Sequence, residues 1–249
     1  MSAVLRSELL KQRTTRTILQ LPLWMVGLVA LVVLLHVFSL DAATLTRHDG
    51  QLKVLGWGTS VGALFAALLG ALSITSEIRH GTIRPTFLAT PRRARVIMGK
   101  VAASALAGLA VGLLAEALTA ALESAGLATR GIHIALSAGD YIQLLAGGAV
   151  AAALWAAIGV GVGAIVRNQV GAVVGLCVWL LLIETTLIGN VPAAGKFAPS
   201  AGGGALAGAI QTQSPTNLLA PALGALMLAA YAAAATVAGL IATEGRDIN

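Results

Sequence analysis

Long apolar runs separated by short charged stretches organise this chain of 249 residues. The runs are continuous and do not alternate residue by residue, so they predict helices and not strands. Crossing a hydrocarbon core of about 30 Å takes about 20 apolar residues in a helix. Six runs approach or exceed that length, at about 21–40, 54–75, 101–121, 142–166, 170–190 and 218–242. Backbone in lipid must satisfy its own hydrogen bonds, which helices do within one segment. The expected fold class is an all-α polytopic membrane protein, a single transmembrane domain over 1–249. The first run, Leu21 to Leu40, outlasts the apolar core of about 7–15 residues found in a signal peptide, and Ser39-Leu40-Asp41 is a poor cleavage site. It is read as a span.

Composition agrees. Hydrophobic residues make up 57% of the chain and charged residues 10%, whereas a soluble domain carries about 25% charged residues. Apolar content this high also excludes a disordered chain. Cys177 is the single cysteine, which leaves no intrachain disulfide and no cysteine cluster for a metal.

Charge changes the picture through its placement. Arg6, Lys11, Arg13 and Arg16 precede the first run. Arg79, Arg84, Arg92, Arg93, Arg95 and Lys100 lie between the second and third, Arg167 lies between the fourth and fifth, and Arg246 lies in the tail. The opposite loops hold only Arg47, Lys53, Arg130 and Lys196. Lys and Arg concentrate in cytoplasmic loops, so both termini are expected inside. Trp24 and Trp57 fall near helix ends, where interfacial belts form. Residues 1–17 are read as a short interfacial helix with Leu5 and Leu9 on one stripe, or as a plain topology signal.

Within the runs, small-xxx-small pairs recur at Gly58/Gly62, Gly108/Gly112, Gly159/Gly163 and Gly171/Gly175. Such pairs let helices approach closely. Glu116, Glu184 and His36 are the ionisable residues of the spans, each expected toward an outer helix end. Ionisable groups in lipid carry a functional reading by default. They are candidates for a polar substrate path, with interfacial hydrogen bonding as the alternative. The segment 191–217, rich in Gly and Pro, is read as a re-entrant or interfacial element on the outer side, or a flexible loop.

The most particular stretch is residues 73–100, SITSEIRHGTIRPTFLATPRRARVIMGK. Glu77 leaves the second span, Arg79 and His80 follow, Gly81-Thr82 turn the chain, and Arg84 follows. Pro91, Arg92, Arg93, Arg95 and Lys100 then lead into the third span. This order resembles the type-2 ABC transporter permeases, the membrane subunits of one class of bacterial ABC exporters. The opening RSELLKQRTTRT, the short apolar outer segment before the last span and the tail EGRDIN are similar to that family as well, so the resemblance runs the length of the chain.

The resemblance implies a coupling helix over 77–90 that docks on a cytoplasmic ATPase. In it Glu77 would fix the helix start, through the helix dipole or a basic neighbour. Arg79, His80, Arg84 and the Arg92/Arg93/Arg95 group would meet acidic protein surface or anionic lipid. Arg167 would be a lesser second contact. The chain lacks a phosphate-binding loop, since Gly99-Lys100 is followed by Val101 and has no glycine five residues before Gly99. ATP and magnesium would therefore belong to a separate ATPase, and no cofactor is expected on this chain. The resemblance further implies two ATPases, a second permease copy, an efflux role and a bacterial plasma-membrane location. No nucleic-acid partner is expected.

Rival classes have less to stand on. Gly58-Thr59-Ser60-Val61 breaks the serine motif of a rhomboid-type protease, and His-Glu-x-x-His is absent, so the chain is not expected to be an enzyme. A secondary transporter or channel would show broken spans in matching halves or paired charges at mid-membrane. A non-transporting immunity or scaffold protein is the remaining alternative.

Overall fold

The computed structural model describes residues 2–90, 92–209 and 219–245. Pro91, residues 210–218 of the outer segment and the Arg-Asp ending at 246–247 lie outside them.

The described residues form helices and no strands: α1 (Ser2–Thr14), α2 (Arg16–Ser39), α3 (Ala42–Leu45), α4 (His48–Arg79), α5 (Ile83–Ala89), α6 (Arg93–Thr129), α7 (Ala138–Val166), α8 (Gln169–Val178), α9 (Glu184–Asn190), α10 (Pro192–Gly195), α11 (Pro199–Ala207) and α12 (Pro221–Glu244). A π-helical turn, Trp179–Ile183, joins α8 to α9 into one span. Among the described residues six helices are long and apolar enough to cross a membrane: Ile18–Ser39, His48–Arg79, Arg93–Thr129, Ala138–Val166, Gln169–Asn190 and Pro221–Glu244. All six expected spans are present, and α4 and α6 run well past their apolar centres into charged ends.

The helices are not equivalent. Most of α4 and α7 is buried, whereas α2, α8/α9 and α12 bury only a minority of their residues. The peripheral helices touch the bundle by one stripe each. On α2 that stripe is Met25, Val29, Val33 and Val37, packed among Val61, Phe65 and Leu69 of α4 and Val111 and Ala115 of α6. The four-residue spacing keeps these side chains on one face.

Close approach of α4 and α7 depends on glycine. A Cβ on Gly70 or Gly159 would stand 2.0 Å from the Ala156 or Ala67 carbonyl oxygen of the facing helix. Gly108 and Gly112 of α6 meet Ala152 and Ala149 of α7 in the same way. The Gly171/Gly175 pair does not act so, since a Cβ on Gly175 would meet nothing within 4 Å.

The helix α1 and the last turn of α12 lie at one end of the bundle. α1 packs on the start of α6, with Val4 against Gly99. Arg93 at the start of α6 donates to the Thr243 carbonyl near the end of α12 (2.9 Å). At the other end, Arg130 donates to the Val37 and Leu40 carbonyls and fastens α2 to α6. There, too, the fully buried Gln51 donates to Leu45 O and His133 O and accepts from Ala135 N, each at 2.9 Å.

Candidate functional site

At the end that carries α1, four charged side chains from three helices meet around a buried lysine. Lys100 of α6 has no solvent exposure. Its ammonium donates to Glu8 Oε2 of α1 (2.7 Å), Glu77 Oε1 of α4 (2.7 Å) and the Ser73 carbonyl (3.1 Å). A lysine has three donors, and all three are used. Lys11 completes the group, 2.8 Å from Glu8 Oε1 and 2.9 Å from Glu77 Oε1. Two acids and two bases balance, as buried charges must. Gln12 adds a hydrogen bond to Ser104 at 3.1 Å. Half-burial alone would lower the Lys11 pKa, but hydrogen bonds and charge from Glu8 and Glu77 outweigh it and raise the value above the usual 10.5.

This geometry corrects two expectations. Glu77 does not start the helix that follows; it sits in the last turn of α4, which runs to Arg79. There the helix dipole disfavours an acid, and the two lysines supply the offset. Lys100 is not a loop cation but the centre of the cluster. The buried face of α1 differs too: Glu8 and Gln12 are buried, Leu5 and Leu9 only partly, and Leu10 is 63% exposed. Sequence reasoning missed Glu8 as a site residue. Its signal was the Glu8–Lys11 spacing together with Lys100, seven residues past the start of α6 and at the edge of a long apolar run.

Beyond Glu77 the chain turns at His80 and Gly81. His80 Nδ1 pairs with the Ser76 carbonyl (2.8 Å). Gly81 has φ +72°, a left-handed conformation that glycine adopts freely. The following helix is shorter than expected, Ile83–Ala89. Ile83 and Phe87 turn inward onto Ile74, Val96 and Ile97, while Arg84 is exposed and Leu88 is 83% exposed. Arg93 stacks over the Phe87 ring at 5.7 Å. Arg79, Arg92 and Arg95 are exposed around this helix. Arg79 also reaches Gln169 (3.3 Å), which brings the Arg167 turn beside the end of α4. Arg167 takes the left-handed conformation at φ 55°, and Asn168 caps α8 by accepting from Gly171 N (2.8 Å).

The remaining candidates lie toward the other end. Glu116 and Glu184 are each 1% exposed and so do not reach an interface. Glu116 fits between two glycines. A Cβ on Gly148 of α7 would come 2.1 Å from its Oε1, and one on Gly58 of α4 would come 2.8 Å from its Oε2. Glu184 accepts from Trp179 Nε1 (2.7 Å) and Ser200 N (3.2 Å). The π turn makes the first bond feasible, because its wider ladder of i to i+5 bonds brings residues five apart onto one side.

A cavity of about 130 Å³ adjoins Glu184, lined also by Trp57, Thr59, Ser60, Trp155 and Thr185. His36 Nδ1 donates to the Val32 carbonyl (2.8 Å), and its ring lies 4.8 Å from the Trp57 ring. The three expected residues do not touch one another. They converge instead on one turn of α4: His36 on Trp57, Glu116 beside Gly58, and Glu184 across the cavity from Thr59. Glu123, buried two turns from Glu116 on α6 with neither carboxyl oxygen hydrogen-bonded among the described residues, was not anticipated. Among the described residues, no group of three or more His, Cys, Asp or Glu is arranged to hold a metal ion.

Fold and sites together define an all-α, multi-pass membrane protein with six spans. No family model matches the chain, and no curated protein matches it.

Proposed function

We propose that this chain is the permease subunit of an ATP-driven exporter, working in a bacterial plasma membrane with a separate cytoplasmic ATPase. The observation that carries this reading is the two-faced helix α5. Ile83 and Phe87 root it in the bundle, while Leu88 and Arg84 face outward. An exposed leucine ringed by arginines is a protein-docking surface in chemistry: an apolar anchor with a cationic rim. The anchor connects to the spans through a short turn from Glu77, which is bound to α1 and α6. Movement of α5 would therefore be passed to three helices at once.

Two permeases and two ATPases make up the working unit. ATP-driven closure of the ATPases would draw the α5 helices together and switch access to the path between inside and outside. The second permease copy and the bilayer lipids would share the exposed apolar faces of α2, α8/α9 and α12. The order of Glu77, Arg79, Gly81, Thr82, Arg92, Arg93 and Lys100 along the chain supports the same reading.

The test is co-purification with the ATPase encoded beside this chain's gene. Wild type should bring the ATPase with it, and Glu77→Ala and Gly81→Pro should lose it. Retention of assembly and ATP hydrolysis by both variants would overturn the proposal, and so would the absence of any neighbouring ATPase gene.

A further inference from the structure

ATPase docking uses the charged end of the bundle and leaves the cavity beside Glu184 without a role. We propose that this cavity binds the head of a lipophilic organic cation. As a binding site it stands on this chain alone; as a stage of export it rests on the exporter reading.

Charge gives the first argument. The Glu184 carboxyl is 1% exposed and lines the cavity. Its two hydrogen bonds come from neutral donors, an indole and a backbone amide. A carboxylate offers about four acceptor positions, so two stay open among the described residues. Among the described residues no Lys, Arg or His forms an ion pair with it, and no lining residue is cationic. A buried carboxylate without a counter-charge is unfavourable, and a bound cation removes that cost. An anionic ligand would meet Glu184 directly and Glu116 behind Thr59.

The walls give the second argument. Trp57 and Trp155 line the cavity, and aromatic faces attract ammonium groups. Among the described residues neither indole nitrogen has a hydrogen-bond partner, so both remain neutral groups in the cavity wall. The cavity is about 130 Å³. An engineered apolar cavity of about 150 Å³ holds benzene, so the space suits a trimethylammonium-sized head and not a large molecule.

Access gives the third. Ser60 and Leu181 line the cavity and are both exposed, Leu181 at 56%, on apolar stretches of α4 and of the π turn. The mouth therefore opens sideways among membrane-spanning surfaces, which a cation with an apolar body can reach from the bilayer. The π turn stands at this mouth, and such turns are frequent at functional sites.

The experiment uses the full chain in lipid nanodiscs, with tryptophan fluorescence as readout and empty nanodiscs as the partition blank. Benzyltrimethylammonium is titrated beside neopentylbenzene, its uncharged isostere. The expected result is a saturable response to the cation alone, weakened about tenfold or more by Glu184→Gln. Ser60→Leu, placed at the exposed mouth where it disturbs no packing, is expected to weaken the response with Glu184 intact. Absence of saturable cation binding, equal binding of the isostere, or wild-type affinity in both variants would overturn the site. None of these readouts involves the ATPase, so failure here and failure of the exporter reading are separate outcomes.

Discussion

Lys100 and Glu77 form an ion pair of 2.7 Å between α6 and α4, and the lysine has no solvent exposure. Glu8 of α1 holds the same ammonium at 2.7 Å. The first helix of the chain is thus fastened to two spans by charge and not by an apolar stripe.

Removing the central cation should be costly. Lys100→Met leaves Glu8 and Glu77 facing each other, with Lys11 as their remaining cation. Breaking a buried pair from one side costs about 3–5 kcal/mol. The expected outcome is a lower thermal midpoint in detergent and faster proteolysis within α1. Glu8→Gln added to Lys100→Met should cost less than the sum of the single changes, because the two share one network.

The docking of α1 should also depend on pH through Lys11. Its pKa is raised in the folded chain above 10.5. Its contribution is therefore complete below the unfolded value and is lost as pH climbs through the folded one. Proteolysis of α1 measured by Lys11 titration should be level from neutral pH to mildly alkaline pH and rise only above about pH 10.5. A Lys11→Met variant should lack that rise, and a rise already complete by pH 9 would contradict the assignment.

The niche around Glu116 predicts a rescue. Gly148→Ala would put a methyl 2.1 Å from Glu116 Oε1 and should destabilise by about 1–3 kcal/mol, as overpacking does. Glu116→Ala in that background should recover much of the loss. Gly175→Ala, whose Cβ would meet nothing within 4 Å, should leave the thermal midpoint unchanged or raise it slightly.

Sidedness can be read chemically. In a Cys177→Ser background, a cysteine at the exposed position Thr46 should react with an impermeant maleimide on intact cells. A cysteine at Leu88 should react only after lysis. The reverse pattern would invert the orientation drawn from the arginines and lysines.

The six spans were legible because each is an apolar run long enough to cross a bilayer, and run length needs no knowledge of neighbours. Their ends were not: α4 begins at His48 and α6 reaches Thr129, since helices continue into polar flanks that hydropathy discounts. Glu77 was singled out, but its partners Lys11 and Lys100 lie 66 and 23 positions away, and nothing local pairs them. Lys100 read as a flanking cation because one lysine at the edge of an apolar run looks the same whether it faces water or a pair of acids. The Glu116 niche depends on Gly58 and Gly148 facing it from two other helices. In a chain with 29 glycines, the sequence alone does not distinguish those two from Gly175, which faces nothing.

The exporter reading rests on α5, and Leu88→Asp tests it most directly. The side chain is 83% exposed, so the substitution should leave the thermal midpoint of the purified chain unchanged. With the neighbouring ATPase reconstituted in proteoliposomes, the account predicts that Leu88→Asp loses the permease-dependent part of ATP hydrolysis. Full permease-dependent hydrolysis by the correctly folded variant would contradict it.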